Sequence, residues 1–295
     1  MHKATGALLL GMAALWAAPA WPGTQTFTFE EDLNGYQGFS DTSIFDENTD
    51  YAGGGTDGIF SGTTNRNDVR RALIRADLSS IPAGSQITSV TLELTVVQAP
   101  NATAVDYGLY RLTTDWGEGS VIGGPLSGGG GGNPAESGDA TWSSNFFGTS
   151  QWTTAGGDFV QTASGTATAG TIDTTTTWSG QGLIDDVQAW VDDPQSNFGW
   201  IVIASNEGQT TKAIRKWGSR EASSSRPRLT IVADVPSTTP ATDINGDSVV
   251  NAVDVQLVIN AALDLSIGGL DADINGDQTV NAVDVQLVIN AALGL

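Results

Sequence analysis

The strongest constraint on the fold of this chain is a repeat near its carboxyl end. Residues 243–263 read DINGDSVVNAVDVQLVINAAL, and residues 273–293 repeat that segment with two changes at an offset of 30. Each copy carries Asp or Asn at loop positions 1, 3, 5, 9 and 12, which is the spacing of oxygen ligands in a twelve-residue calcium loop. The sequence therefore predicts two calcium sites, each wrapped by one loop.

The ligands of each predicted site are five side-chain oxygens and the main-chain carbonyl at position 7. They are Asp243, Asn245, Asp247, Val249, Asn251 and Asp254 in the first loop, and Asp273, Asn275, Asp277, Thr279, Asn281 and Asp284 in the second. Three carboxylates in one short loop repel each other unless a cation lies between them. A polar turn that only caps a helix would not need this spacing twice in the same register.

The sequence after each loop has apolar residues at the spacing of an amphipathic helix. Apolar residues recur on one face, at Val255, Val258, Ile259, Ala262 and Leu263 in the first copy and at Val285, Val288, Ile289, Ala292 and Leu293 in the second. Each helix alone is too short to be stable in water. We therefore expect the two helices to pack together and to take much of their folding energy from bound calcium.

The pattern DxNxDxxxNxxD followed by one helix, given twice, resembles the type I dockerin family over residues 241–295. The resemblance implies docking to a cohesin domain on another protein or on a scaffold. In that family the two residues after loop position 9 help to choose the partner, and here they are Ala252, Val253, Ala282 and Val283. Because the copies are nearly identical, a half-turn of the module would present the same apolar surface again. The alternative is an autonomous calcium-stabilised tail without a cohesin partner.

Position 6 of both loops departs from the ordinary EF-hand pattern. Such loops carry glycine there, whereas this chain has Ser248 and Gln278, with glycine at position 4 instead. With three acidic ligands per loop we expect a weak to intermediate calcium affinity. Extracellular calcium at about 1 mM can still fill such a site.

The amino terminus has the pattern of a secretory signal peptide. A short basic start precedes an apolar run of small residues, and Ala18-Pro19-Ala20 fits a signal peptidase site. Residues 1–20 are therefore predicted to be removed, and the protein is predicted to be secreted and extracellular or associated with the cell surface. The later sequence contains no stretch apolar enough to span a bilayer, so membrane insertion is not expected.

Composition excludes several kinds of chemistry. The chain has 33 acidic and 12 basic residues, no cysteine, and one histidine, His2, which lies in the predicted signal peptide. Zinc sites of the usual ligand types and catalytic groups that depend on histidine or cysteine are therefore excluded from the mature chain. The net charge of -21 argues against nucleic acid and anionic membranes as partners.

Residues 24–234 are predicted to form one mainly β domain. Apolar and polar residues alternate in several short segments, residues 200–203 suit a buried strand, and residues 183–192 have a helical period. Many strands and little helix predict an antiparallel β-sandwich with a jelly-roll-like arrangement. A linker rich in Pro and Thr at 235–241 separates this domain from the predicted all-α module at 242–295.

Several phrases of the β domain resemble the DNRLRE domain family. They are VRRALIRADLSSIPAGSQITSVTLEL, GDATW, GGDF, DVQAWVDDPQSNFGWIV and GSREASSSRPRLTI, spread over residues 25–233. The family is found as a β-sandwich module in large secreted bacterial and archaeal proteins. Some relatives are regarded as carbohydrate-binding, including for acidic polysaccharides, so the resemblance implies a role directed at sugars.

Basic residues gather in two segments of this acidic domain. If the two segments pair as neighbouring strands, their side chains form a face suited to carboxylate or sulfate groups of a polymer. The alternative is that they neutralise Asp and Glu as surface ion pairs. The candidate carbohydrate-binding residues are Arg71, Arg75, Lys212, Arg215, Lys216 and Arg220, with Arg66, Arg70, Arg226 and Arg228 in the same segments.

Two further patterns leave alternatives open. An indole in a turn-rich segment can stack on a sugar ring, although a tryptophan is more often part of the core. The candidates for stacking are Trp116, Trp142, Trp152, Trp178 and Trp217, whereas Trp190 and Trp200 are predicted to be structural. The segment 46–50 repeats the DxNxD spacing, so a third calcium ion in the β domain remains an alternative.

Three functions remain open from the sequence. In the first, the protein is a non-catalytic carbohydrate-binding protein whose dockerin-like module attaches it to a cohesin-bearing partner in extracellular polysaccharide degradation. In the second, the β domain is itself an O-glycosyl hydrolase or a polysaccharide lyase, although no motif singles out the carboxylate pair that a hydrolase needs. In the third, it is a structural cell-surface protein with a calcium-stabilised tail. We favour the first.

Overall fold

The computed structural model describes residues 23–124, 131–209, 211–236 and 240–295. The predicted signal peptide and residues 237–239 of the predicted linker lie outside this description. The described chain divides into two compact units, Gly23–Val235, here called the β domain, and residues 236–295, here called the C-terminal module. No helix in the described part is both long enough and apolar enough to cross a membrane.

The described β domain contains thirteen strands and one α-helix. The strands are β1 (Gly23–Phe29), β2 (Phe39–Phe45), β3 (Tyr51–Ala52), β4 (Gly58–Thr63), β5 (Val69–Ala76), β6 (Gln86–Gln98), β7 (Val105–Arg111), β8 (Asn133–Pro134), β9 (Gly165–Ala169), β10 (Thr175–Ser179), β11 (Trp200–Ala204), β12 (Ala213–Gly218) and β13 (Arg228–Val235). The helix is α1 (Gln181–Asp192), and short 3-10 turns lie at Leu33–Gly35 and Pro194–Ser196.

Eleven of these strands form one antiparallel sheet that is curled into a half-barrel. The order is β1-β13-β6-β12-β4-β5-β11-β7-β9, with β10 paired to β6 and β2 paired to β5. The 13-residue strand β6 pairs with β13 and also, near its end, with β12. The mainly β, antiparallel class is confirmed. Strand β6 joins the strands on either side of it into one sheet, because it pairs with both β13 and β12.

The core lies inside the curl of the sheet. Alternate residues of β6 are buried because successive side chains of a strand point to opposite faces, and Leu92 and Leu94 are completely buried. Helix α1 covers this core with Leu183, Val187 and Trp190, which recur on one helical face. Burial of each such side chain contributes about 1.5–3 kcal/mol to the free energy of unfolding.

The C-terminal module contains α2 (Ala252–Ala262) and α3 (Ala282–Leu293), which pack against each other. Val258 and Val288 are completely buried at the centre of its small core. Val255, Val258, Val285 and Val288 of the predicted apolar faces lie in this core, and Leu257 and Ala261 join it from outside the predicted face. Leu263 and Leu293, predicted to belong to these faces, remain 65% and 67% exposed because they lie at the helix ends.

Candidate functional site

The start of each helix in the C-terminal module is fixed by the residues at loop positions 9 and 12. Asn251 Oδ1 accepts a hydrogen bond from Val253 N–H at 2.8 Å, and Asp254 Oδ2 accepts one from Asn251 N–H at 2.9 Å. Asn281 and Asp284 form the same capping box at the start of α3. Residues predicted to bind an ion therefore also begin the helices.

The carboxylate at position 12 ties the helix back to the start of its loop. Asp254 is completely buried, and its Oδ1 accepts N–H groups of Ile244 at 2.9 Å and Asn245 at 3.2 Å. Burial alone would raise the pKa of Asp254, but the backbone N–H donors of Asn251, Asn245 and Ile244 outweigh it and hold the pKa below its ordinary value. The pKa of Asp284 is lowered for the same reasons. Both side chains are therefore anionic at neutral pH, as a calcium ligand must be.

The first loop is folded around the carboxylate at position 1. Asp243 Oδ1 accepts N–H groups of Gly246 at 3.0 Å and Asp247 at 3.2 Å, and Asp243 Oδ2 accepts Ser248 N–H at 2.7 Å. Asp247 Oδ1 in turn accepts Val249 N–H at 2.9 Å. These short-range bonds hold the predicted ligands of the loop in one tight turn.

The two loops have nearly the same geometry. Asn245 Nδ2 donates to Asp247 Oδ2 at 2.9 Å, and Asn275 Nδ2 donates to Asp277 Oδ2 at 2.9 Å. The amide at position 9 donates to the carbonyl at position 7 at 3.0 Å in both loops. Asp273 Oδ2 accepts the N–H of position 6 at 2.7 Å, as its counterpart in the first loop does.

Position 6 adopts the backbone conformation of an EF-hand loop although neither copy has glycine there. The φ angle is 70° at Ser248 and 68° at Gln278, in the left-handed region. Glycine populates this region freely, whereas another residue loses roughly 1–2 kcal/mol. The unusual residues at position 6 therefore strain the loop without changing its path.

The donor set of each loop suits calcium. It consists of three carboxylates, two side-chain amides and one carbonyl, all of them hard oxygen donors. Among the described residues no group of three acidic side chains could hold a metal ion by itself, and the predicted ligand sets add amide and carbonyl oxygens to the carboxylates. The amide oxygens at position 9 cap the helices, which fits the water-mediated contact that this position often makes.

The candidate partner-binding residues lie in the first turns of α2 and α3. Val253 is 52% exposed and Val283 is 53% exposed, so the two copies present equivalent apolar side chains to solvent. Ala252 and Ala282 beside them are also exposed. We call these four residues the docking pairs.

The two basic segments of the β domain do not pair as neighbouring strands, because β4 lies between β5 and β12, which carry them. Arg71 pairs with Glu207 at 2.7 Å, and Arg75 pairs with Asp115 at 2.6 Å. The ion-pair alternative accounts for these residues.

The remaining candidates in the second basic segment are engaged as well. Arg215 is completely buried and donates to three main-chain carbonyls. Lys216 pairs with Asp57 at 2.5 Å, Arg220 lies among glutamates, and Lys212 contacts an asparagine side chain. Further ion pairs are Arg70–Glu47, Arg226–Asp32 and Arg228–Glu30.

Most tryptophans proposed for sugar stacking belong to the core instead. Each of Trp116, Trp152, Trp178 and Trp217 is at most 5% exposed, and each indole N–H donates to a protein oxygen. Trp142 is half-buried, and the guanidinium of Arg71 lies 4.9 Å from the centre of its ring. Trp190 and Trp200 lie in the core as predicted.

The acidic side chains of the segment 46–50 each contact other parts of the β domain. Asp46 Oδ1 accepts Val69 N–H at 2.5 Å, and Glu47 pairs with Arg70. Asp50 accepts a hydroxyl from a different loop. The DxNxD spacing is used here for hydrogen bonds that join loops to strands.

Sequence reasoning missed a buried acidic group around Arg220. Glu118 Oε1 accepts Asp41 N–H at 2.7 Å and Arg220 Nε at 2.9 Å, and Asp41 Oδ2 accepts Arg220 N–H at 2.8 Å. Burial raises the pKa of Glu118 to about 7 and raises the pKa of Asp41 as well. The three residues lie far apart in the sequence, so no local sequence pattern predicts that they come together.

Comparison with protein families supports the assignment of the C-terminal module. No curated protein matches the chain, and the resemblance of the β domain to the DNRLRE family stays a prediction. Residues 241–293 match the family model of the type I dockerin domain. Type I dockerin domains bind calcium, which fits the oxygen donors of both loops. We conclude that residues 241–293 form a type I dockerin domain.

Proposed function

We propose that this protein is a secreted, non-catalytic carbohydrate-binding protein, and that its dockerin domain attaches it to a cohesin-bearing partner in extracellular polysaccharide degradation. The observation that carries the attachment role is the pair of nearly identical loop-helix units inside the dockerin match. A dockerin domain implies a cohesin-bearing partner.

Each loop takes one calcium ion, so the domain holds two. The ion supplies the positive charge that relieves repulsion among the carboxylates of a loop. Asp254 and Asp284 are held ready for this role because main-chain N–H groups fix both their position and their charge. The ordered loops then hold the first turns of α2 and α3, which carry the docking pairs.

The docking pairs form an apolar surface that the partner covers. Val253 and Val283 have almost the same exposure, and the two loop-helix units have almost the same sequence. A half-turn of the domain therefore offers the partner an equivalent surface. This supports binding in two orientations.

Binding rather than catalysis is our proposal for the β domain. A glycoside hydrolase needs two carboxyl groups that face the substrate. The described carboxyls with raised pKa are Asp41, Asp46, Glu118, Asp139 and Asp186. Each accepts hydrogen bonds from the protein: Asp41 and Glu118 from Arg220 and main-chain groups, Asp46 and Asp139 from main-chain N–H groups, and Asp186 from Ser164 and Trp200. Asp41 is completely buried. Incubation with neutral and acidic polysaccharides tests this proposal, because release of new reducing ends or unsaturated products would establish an enzyme.

Attachment is tested by capture of the full chain on immobilised cohesin modules in calcium. Val253→Asp or Val283→Asp alone should leave binding largely intact, because the other copy can still dock. The double variant should lose binding, and removal of calcium from the unaltered protein should do the same. Leu265→Asp is a matched control, since Leu265 is a 56% exposed apolar residue outside the docking pairs. Full binding by the double variant would contradict the proposal.

A further inference from the structure

A cleft of about 310 Å³ opens in the β domain beside the loop between β4 and β5 and the ends of β6 and β12. Ligand-binding clefts in proteins begin at about this size. At about 30 Å³ per water molecule in the liquid, it has room for roughly ten waters. That space suits one sugar ring of a longer chain.

Phe60 lines the cleft but is only 5% exposed, because two cations lie over its ring. The Arg70 guanidinium lies 5.8 Å and the Lys216 ammonium 5.5 Å from the ring centre. Arg70 pairs with Glu47 and Lys216 pairs with Asp57, both at 2.5 Å. Each cation over the ring therefore has a carboxylate beside it.

Two buried polar atoms of lining residues have no hydrogen-bond partner among the described residues. They are Arg70 Nε, a donor, and Glu47 Oε2, an acceptor. Arg70 is 8% exposed, so its guanidinium belongs to the wall and is not a mobile surface group. Both atoms are closed off from solvent, so the Arg70–Glu47 pair is a fixed part of the wall, and a ligand meets the other polar atoms of the lining.

Three amide side chains also line the cleft, those of Asn48, Asn65 and Gln98. None of the three has a hydrogen-bond partner among the described residues. Each can donate to and accept from a ligand. The charged lining comprises the cations Arg66, Arg70 and Lys216 and the carboxylates Glu47 and Asp68. Arg70 is offset by its pairing with Glu47, and Lys216 by its pairing with Asp57, which is outside the lining, so Arg66 and Asp68 remain with opposite charges.

We propose that this cleft is the sugar-binding site of the β domain and that it takes an uncharged, hydroxyl-rich sugar ring of a polysaccharide. The inference rests on the proposed carbohydrate-binding function. A neutral ring supplies hydroxyl donors for the lining carboxylates Glu47 and Asp68, and both donors and acceptors for the lining amides. A carboxylated or sulfated ring would bring negative charge towards both carboxylates.

The test is calorimetric titration of the full chain, in calcium, with neutral gluco-, manno-, galacto- and xylo-oligosaccharides and with oligouronates. Gln98→Ala and Asn65→Ala should each weaken binding of the neutral ligand roughly three- to tenfold, the loss of one or two hydrogen bonds. Gln161→Ala is the control, since this exposed amide lines a different cleft, and it should change affinity less than twofold. Thermal unfolding checks that all variants are folded.

The possible outcomes distinguish failure of the proposed cleft from failure of the proposed carbohydrate-binding function. If a neutral sugar binds and neither Gln98→Ala nor Asn65→Ala weakens it, the site is wrong although carbohydrate binding stands. If only oligouronates bind, the ligand class is wrong. If no carbohydrate binds, both the inference and the carbohydrate-binding proposal fail, whereas capture by cohesin remains a separate measurement.

Discussion

At the scale of single residues, the calcium loops depend on backbone angles that their side chains disfavour. Ser248 and Gln278 have φ angles of 70° and 68°, and both N–H groups donate to the position 1 carboxylate at 2.7 Å. These hydrogen bonds compensate for the strain of the left-handed conformation. The turn is thus held by Asp243 and Asp273 instead of by glycine.

Replacement of Ser248 by glycine should therefore stabilise the dockerin domain. Relief of the left-handed strain is expected to add about 1 kcal/mol to its free energy of unfolding. Ser248→Val should lower that free energy by a similar amount, because a β-branched side chain disfavours positive φ more strongly. Helical circular dichroism during denaturation in saturating calcium measures both changes. A less stable glycine variant would contradict the strain argument.

A second residue-scale prediction concerns pH and the group around Arg220. The pKa of Glu118 is raised from 4.5 to about 7, so the folded state favours the protonated form. The resulting stabilisation is present in full below about pH 4.5 and is lost as the pH rises through about 7. We expect the β domain to lose about 1 kcal/mol of stability between pH 6 and pH 8, at 1.36 kcal/mol per pKa unit. Asp41 contributes in the same direction.

The variant Glu118→Gln removes this titration. Its stability should change less between pH 6 and pH 8 than that of the unaltered protein, as measured by urea unfolding at each pH. Asp77→Asn, which replaces an exposed carboxylate outside the group, is the control and should keep the original pH dependence. Equal pH dependence in all three proteins would show that Glu118 titrates as an ordinary carboxyl.

At the scale of elements, each helix of the dockerin domain begins where a predicted ligand caps it. Asp254→Ala removes the acceptor of three main-chain N–H groups, so we expect a loss of at least about 2 kcal/mol and reduced helical content even in saturating calcium. Gln256→Ala, at an exposed position of the same helix, should leave the helical signal unchanged. Full helicity of Asp254→Ala in calcium would contradict the capping role.

The elements also show how far sequence reasoning reaches. The loops and helices of residues 243–293 were predicted because ligand spacing and apolar period act over a few neighbouring residues. The strand order was not predictable in this way, since β4 enters between β5 and β12 through pairings between distant segments. The same limit explains why the expected pairing of the two basic segments as neighbouring strands was wrong.

The burial of side chains in the β domain was not predictable from local sequence either. Trp116 and Trp178 lie in turn-rich sequence or short strands, yet tertiary packing buries both completely or almost so. The group of Asp41, Glu118 and Arg220 and the cleft at Phe60 are each assembled from segments far apart in the chain. A local pattern carries no information about either.

At the scale of the whole molecule, the two units rely on different sources of stability. The β domain has a large apolar core of its own, whereas the dockerin domain has a small core between two short helices. Calcium is therefore expected to matter for the second and not for the first. A chelator should abolish the thermal transition of the dockerin domain and leave that of the β domain in place.

Calcium titration of the chelator-stripped full chain, followed by calorimetry and helical circular dichroism together, measures whether calcium orders the dockerin helices. We expect two ions bound per chain with a gain of helix, and one ion for a variant in which Asp273 and Asp277 are both replaced by alanine. The helical signal of the unaltered protein should fall again when EGTA is added. Uptake of no calcium, or the same helical signal with and without it, would show that the loops do not fold around calcium ions.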